Sequence, residues 1–355
     1  MNFYAYMSLI EVIVKLVVVY LLYITPYDKL IFLSFLYTII PIFITIIYKI
    51  YCNKCFVTTK YRAIWDKVAF KEMFSFSGWS LFGSLANLAS QQGLNILINI
   101  FYGVTVNAAA GIANQVSSNV YQFISNFQTA FQPQIVKTYA AKEMERFHKL
   151  IFQTSKFSYY LIIVLVLPIL FTIDGILKIW LKEVPEYTAI FCRLILILLS
   201  TEALTAPLWM SVQATGKIRS YQILMACLIF LNFPIAYVAL AIGLPVYSVW
   251  CVRILVNIFV IGARCIYMKK KLDFPLFLYF KKVMLPILNV TLLALPIPIL
   301  LYYTIHGFWQ NLIIVGIVTF IVTILDIYYI GMNIQEKEMV SNMILKKISL
   351  FRKES

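Results

Sequence analysis

Apolar blocks of about 20 residues alternate along the chain with short polar links. A helix rises about 1.5 Å per residue, so each block is long enough to cross roughly 30 Å of hydrocarbon. Ten such blocks are predicted, over about 3–24, 29–50, 76–101, 107–131, 156–177, 187–212, 220–242, 246–268, 283–303 and 309–331. The links carry helix breakers, among them Pro26, Gly103, Pro133, Pro185, Gly216, Gly243 and Gly307. The pattern predicts an all-α polytopic membrane protein with about ten transmembrane helices.

Composition strengthens this picture. Hydrophobic residues make up 62% of the 355 residues and charged residues 13%, whereas a soluble domain carries roughly 45–50% and about 25%. The formal net charge of +15 would suit a nucleic-acid partner, but its placement argues against one. Of the Lys and Arg residues, 22 fall in every second link and the C-terminal tail, and only Lys29, Lys178 and Lys182 in the opposite links. Such an asymmetry puts the basic loops in the cytoplasm. With an even number of spans, the N- and C-termini are both expected there, in a multi-pass bacterial inner-membrane protein. The basic links include Lys60, Arg62, Lys217, Arg219 and Lys269–Lys271, and the tail carries Lys346, Lys347, Arg352 and Lys353.

The opposite links are short, the longest at about 178–186, which leaves no room for an external catalytic domain. Segment 134–153 reads as an amphipathic helix on the inner surface, mixing Lys142, Glu143 and Arg146 with Ile135, Phe147 and Leu150. The N-terminal block carries Glu11 and Lys15 and has no small-residue cleavage site, so it is not expected to be a signal peptide. Six cysteines form no paired framework. Cys52 and Cys55 have metal-like spacing but no second pair, and the histidines are His148 and His306 alone. No phosphate-binding glycine loop, nucleophile elbow or paired-carboxylate motif is found. No metal, no cofactor and no enzymatic activity are expected.

Two blocks are more than apolar. Asn87, Gln91, Asn95 and Asn99 recur every four residues in the third, and Gln115, Asn119, Gln122 and Asn126 share one helical face in the fourth. Unpaired amides cost several kcal/mol against lipid, so both stripes are expected to line a hydrated substrate cavity. Interhelical hydrogen bonding beside Gly83, Ala86, Ala89 and Gly93 is the other reading. Arg193 and Arg253 lie at matching depth, about 9–10 Å from the same predicted ends. They could clamp an anionic group, or reach the outer head groups. Lys15 sits mid-span and is a third candidate for binding the anionic group, with a self-contained pair to Glu11 four residues earlier as its alternative. Glu202, deep in the sixth block, is the candidate for ion coupling, with a protonated, hydrogen-bonded carboxyl as its alternative. Arg264, Asp174 and Asp326 lie near predicted ends and are expected to reach water.

The run Phe74-Ser75-Phe76-Ser77-Gly78-Trp79-Ser80, the stretch GLNILINIFYGVTVNAAAGIANQV at 93–116, Ala206-Pro207-Leu208 and Gln213-Ala214-Thr215-Gly216-Lys217 together resemble bacterial polysaccharide flippases. These form the Wzx-type branch of the MOP superfamily, which also contains the MATE exporters. The resemblance implies two six-helix bundles around a cavity, followed by two extra helices. Mapped on this chain, 1–50 holds the last two helices of an N-terminal bundle and 51–75 a basic cytoplasmic loop. The second bundle would be 76–268, the additional helices 269–331 and the basic tail 332–355. The first half of a MATE-like architecture would then be incomplete, with the chain expected to be either a fragment or one whose start is misassigned. The implied cargo is a lipid-linked (polyprenyl-pyrophosphate) oligosaccharide for O-antigen or capsule assembly. Membrane lipids and other polysaccharide-assembly proteins are the implied partners. A MATE-like cation-coupled exporter, a membrane polysaccharide polymerase or ligase, and a purely structural subunit remain as rivals.

Overall fold

The computed structural model describes residues 2–24, 28–55, 65–305 and 307–338. Pro26, Lys60, Arg62, His306, Lys346, Lys347, Arg352 and Lys353 lie outside the described residues. Among those described, the secondary structure is helical and contains no strand. Eight helices are long and apolar enough to cross a membrane.

The chain divides into two compact units, Met1–Phe70 and Lys71–Ser355. In the first, α1 (Asn2–Ile24) packs along α2 (Lys29–Cys55), and Phe3 stacks on Tyr51 with ring centroids 3.6 Å apart. The rest of the described chain runs through α3 (Lys67–Ala140), α4 (Met144–Trp180), α5 (Thr188–Ala214), α6 (Arg219–Ala241), α7 (Ser248–Leu272), α8 (Leu276–Thr304) and α9 (Phe308–Gly331).

A straight α3 of 74 residues would extend about 110 Å, far beyond a bilayer. It breaks at Gly103, where φ is 81° and ψ −179°, a conformation closed to side-chain-bearing residues. The arm before the break packs on α6. Ser90 Oγ donates to the Ile229 carbonyl at 3.3 Å, Tyr102 Oη to the Leu244 carbonyl at 3.0 Å, and Phe101 meets Tyr237 edge-on. The arm after it buries Val120 and Ile124 against Ile162 and Val166 of α4 and Leu196 and Leu199 of α5. The predicted third and fourth blocks are therefore the two arms of one broken helix.

The expected surface helix over 134–153 is replaced by something different. Residues up to Ala140 complete α3, a tight turn follows with Lys142 at φ 58°, and Met144 opens α4. Both helices simply run past the hydrocarbon: α4 alone has 37 residues, more than the ~20 a span requires. Amphipathicity at that point reflects helix ends leaving the membrane.

Prolines inside spans leave carbonyls to be satisfied by side chains. Pro207 in α5 cannot donate to the Ala203 carbonyl, and the buried Gln128 amide does so instead at 3.0 Å. Around the interruption of α6 near Pro234, the Ile229 carbonyl accepts from Asn232 Nδ2 at 2.9 Å as well as from Ser90. At one end of the second unit, Phe152, Phe274 and Tyr279 pack mutually with centroids 5.4–5.6 Å apart and fix the start of α8 against α4.

Candidate functional site

Within the second unit, α5, α6, α7 and the first arm of α3, with Tyr121 of the second arm, line a cavity of about 460 Å³. Its floor comes from α7. Arg253, Asn257, Val260 and Arg264 all line it, and their spacing of four, three and four places them on one helical face. Arg253 and Arg264 are about 16 Å apart along the axis at 1.5 Å per residue. The Arg253 guanidinium lies over the buried Trp250 ring, 5.1 Å from its centroid. Such stacking suits a planar, weakly hydrated cation. Arg264 Nη1 donates to the Thr205 carbonyl at 3.0 Å, while its buried Nε has no protein partner. Between the two cations, Asn257 Nδ2 donates to Thr201 Oγ1 at 2.7 Å.

Opposite, α5 contributes Glu202, Trp209 and Gln213. Glu202 opens onto the cavity, and its side chain forms no hydrogen bond or ion pair with a described residue, while its carbonyl accepts from Thr205 Oγ1 at 3.2 Å. The alternative of a carboxyl bonded to a neighbouring helix is not what the structure presents. Glu202, Arg253 and Arg264 are the only charged residues on this lining, so its formal charge is +1. Ser80, Ser84, Asn87 and Gln91 of α3, with Gln222 and Asn232 of α6, complete a wall of neutral donors and acceptors.

The polar stripes are thus divided. Asn87 and Gln91 face the cavity, while Asn95, Asn99, Gln115, Asn119, Gln122 and Asn126 do not line it. Asn95 Nδ2 bonds Gln92 Oε1 at 3.2 Å, and Gln122 Nε2 bonds Asn126 Oδ1 at 3.1 Å. Asn99, Gln115, Asn119, Gln122 and Asn126 are exposed. The break at Gly103 explains the division, because it turns the second arm toward α4 and α5 with a different face inward.

The two arginines expected to act together are also separated. Arg193 is absent from the cavity lining and instead pairs with Asp174 through Nη2, while its Nε donates to the Leu170 carbonyl at 3.2 Å. The short link between α4 and α5 makes an antiparallel pair, which brings position 174 opposite 193. Asp174 therefore has a protein partner where only water was expected. Arg264 takes the place expected of Arg193, although it was read as a residue merely reaching the surface. Asp326 likewise differs: its Oδ2 is buried without a hydrogen-bond partner. Lys15 belongs to the first unit, where its ammonium meets Glu11 at 2.6 Å in the self-contained pair that the i, i+4 spacing suggests.

A signal for Arg264 was present in the sequence: Arg253, Asn257 and Arg264 repeat at helical spacing on one face. Depth counted from one helix end hid it, because a cavity can bring water to a residue from either side. No cluster of metal-ligating side chains occurs among the described residues. No protein-family model, curated protein or solved structure matches the chain.

Proposed function

We propose that this chain serves alternating-access movement of a lipid-linked (polyprenyl-pyrophosphate) oligosaccharide across a bacterial inner membrane, within a MATE-like helical architecture. The observation that carries the reading is the cavity lining: two arginines on one face of α7, set among neutral amides and hydroxyls inside an apolar bundle. Guanidinium groups bind phosphate oxygens in a fork, and a sugar chain needs amide and hydroxyl partners rather than charges. Their positions are about 16 Å apart along the axis of α7, and the two arginines suit successive contacts of an anion moving along that face. Glu202 lowers the net charge of the site, which keeps binding weak enough for release at the far side.

Orientation follows from the asymmetry of the basic links, with those links and both termini in the cytoplasm. Arg264, next to Lys269–Lys271, then meets the cargo first, and Arg253 holds it near the outer leaflet.

The test is transport of a fluorescent polyprenyl-pyrophosphate oligosaccharide in vesicles containing the chain with any natural partner bundle. Arg253→Ala and Arg264→Ala should each slow translocation by about tenfold or more, the scale of one lost charge-assisted phosphate contact. Lysine at either position should restore activity only in part, since it provides a point charge without the fork. Unchanged translocation in the double alanine variant would remove the proposal. A second reading, a MATE-like exporter of organic cations, draws on one observation, the Glu202 carboxylate facing the cavity. Under that reading Glu202→Gln abolishes uptake of a cationic dye, while the arginine variants enhance it.

A further inference from the structure

A second pocket, of about 720 Å³, lies outside the cavity, at the basic-link end of the second unit. It is bounded by the start of α4, the start of α8 and the segment that follows α9. Lys149, Lys156, Lys282 and His148 line it, with Glu145 and Glu336 as the acidic residues. Lys156 is the unusual one. It is 2% exposed, and its ammonium meets Glu336 Oε2 at 2.7 Å. That oxygen already accepts the Asn333 backbone N–H at 2.7 Å, capping the helix that begins at 334. An ammonium carries three donors, and Glu336 is the only acceptor Lys156 has among the described residues. His148 Nε2 is also buried without a partner. Lys149 and Lys282 stand exposed at the rim.

The site therefore gathers three ammonium groups against two carboxylates. A tetrahedral oxyanion is a ligand that supplies several acceptors from one small group. We propose that this pocket binds a phosphate-bearing anion, with Lys149 and Lys282 as the outer contacts and Lys156 as the inner one. Basic pockets between membrane helices on the positively charged side are suited to anionic lipid head groups, and a soluble phosphate ester presents the same chemistry. The pocket shares no lining residue with the cavity and is a separate site.

The experiment uses the delipidated full chain in detergent and two probes, cardiolipin followed by native mass spectrometry and inorganic phosphate followed by thermal unfolding. The Lys149→Ala/Lys282→Ala variant is compared with Lys270→Ala/Lys271→Ala, which removes equal charge from exposed positions outside the pocket. Roughly tenfold weaker cardiolipin retention in the pocket variant alone supports a head-group site. Loss of phosphate-induced stabilisation in the pocket variant alone supports a soluble phosphate ligand. Arginine at both positions should retain whichever response the wild type shows. Equal responses of the pocket and control variants to both probes would overturn the proposal.

Discussion

At the scale of single residues, the hydrogen bond from Gln128 to the Ala203 carbonyl shows how a polar side chain inside a span can be wholly structural. Pro207 removes the N–H that would normally fill that acceptor, and Gln128 fills it from a neighbouring helix. Gln128→Leu should therefore cost about 1–3 kcal/mol in unfolding free energy, the penalty of an unsatisfied buried carbonyl. In a Pro207→Ala background, where the helix supplies its own donor, the same substitution should be close to neutral. Equal costs in both backgrounds would show that the bond does not replace the proline's lost donor. The proline was visible in the sequence, but its partner, far along the chain, was not. The arginines make the same point. Arg193→Ala should lower stability by at most about 1 kcal/mol, because its pair with Asp174 is partly exposed, and leave translocation within about twofold. Arg253→Ala should do the reverse. Depth along a helix was legible for both, whereas the neighbour that decides the role was supplied by packing.

At the scale of elements, the docking of α9 on α4 depends on close approach. Tyr160 Oη donates to the Gly331 carbonyl at 2.9 Å, and a Cβ on Gly331 would fall 2.7 Å from that oxygen and 2.8 Å from Cζ. Tyr160 is 3% exposed and has no room to retreat. Gly331→Ala should therefore destabilise the fold by about 1–3 kcal/mol, as overpacking does elsewhere, measured by thermal or denaturant unfolding in detergent. Gly111, where a Cβ would meet nothing within 4 Å, gives the control, and Ala there should cost little. One turn further on, Lys156 and Glu336 form the buried pair. Glu336→Gln leaves an uncompensated ammonium and should cost about 3–5 kcal/mol, whereas Lys156→Met with Glu336→Leu should be near neutral. The helices themselves were readable from their apolar blocks. Their ends were not, because α3 and α4 continue as helix well beyond the hydrophobic stretch, and propensity gives no signal where a helix leaves the membrane. The break at Gly103 was readable as a glycine in a link, but the face each arm turns inward was set by α4, α5 and α6.

At the scale of the whole molecule, the charge asymmetry and the cavity make one joint prediction. Lys182 follows α4 and Lys270 closes α7, and both are exposed. The basic-link rule puts them on opposite sides of the membrane. In a variant whose six cysteines are replaced, a cysteine at 182 should react with a membrane-impermeant maleimide in intact cells. A cysteine at 270 should react only after permeabilisation. The same geometry orders the cavity, because Arg264 is the cation nearer Lys270 and Arg253 the one nearer the opposite links. Under the transport proposal, Arg264→Ala should then weaken capture of cargo from the cytoplasmic face, and Arg253→Ala should slow its release to the outer leaflet. Single-turnover measurements separate these two steps. Labelling with the reverse sidedness would exchange the two roles, and cargo from the cytoplasm would then be captured first at Arg253. Sidedness at two lysines, outside the cavity, thus decides the direction in which the arginine ladder is climbed.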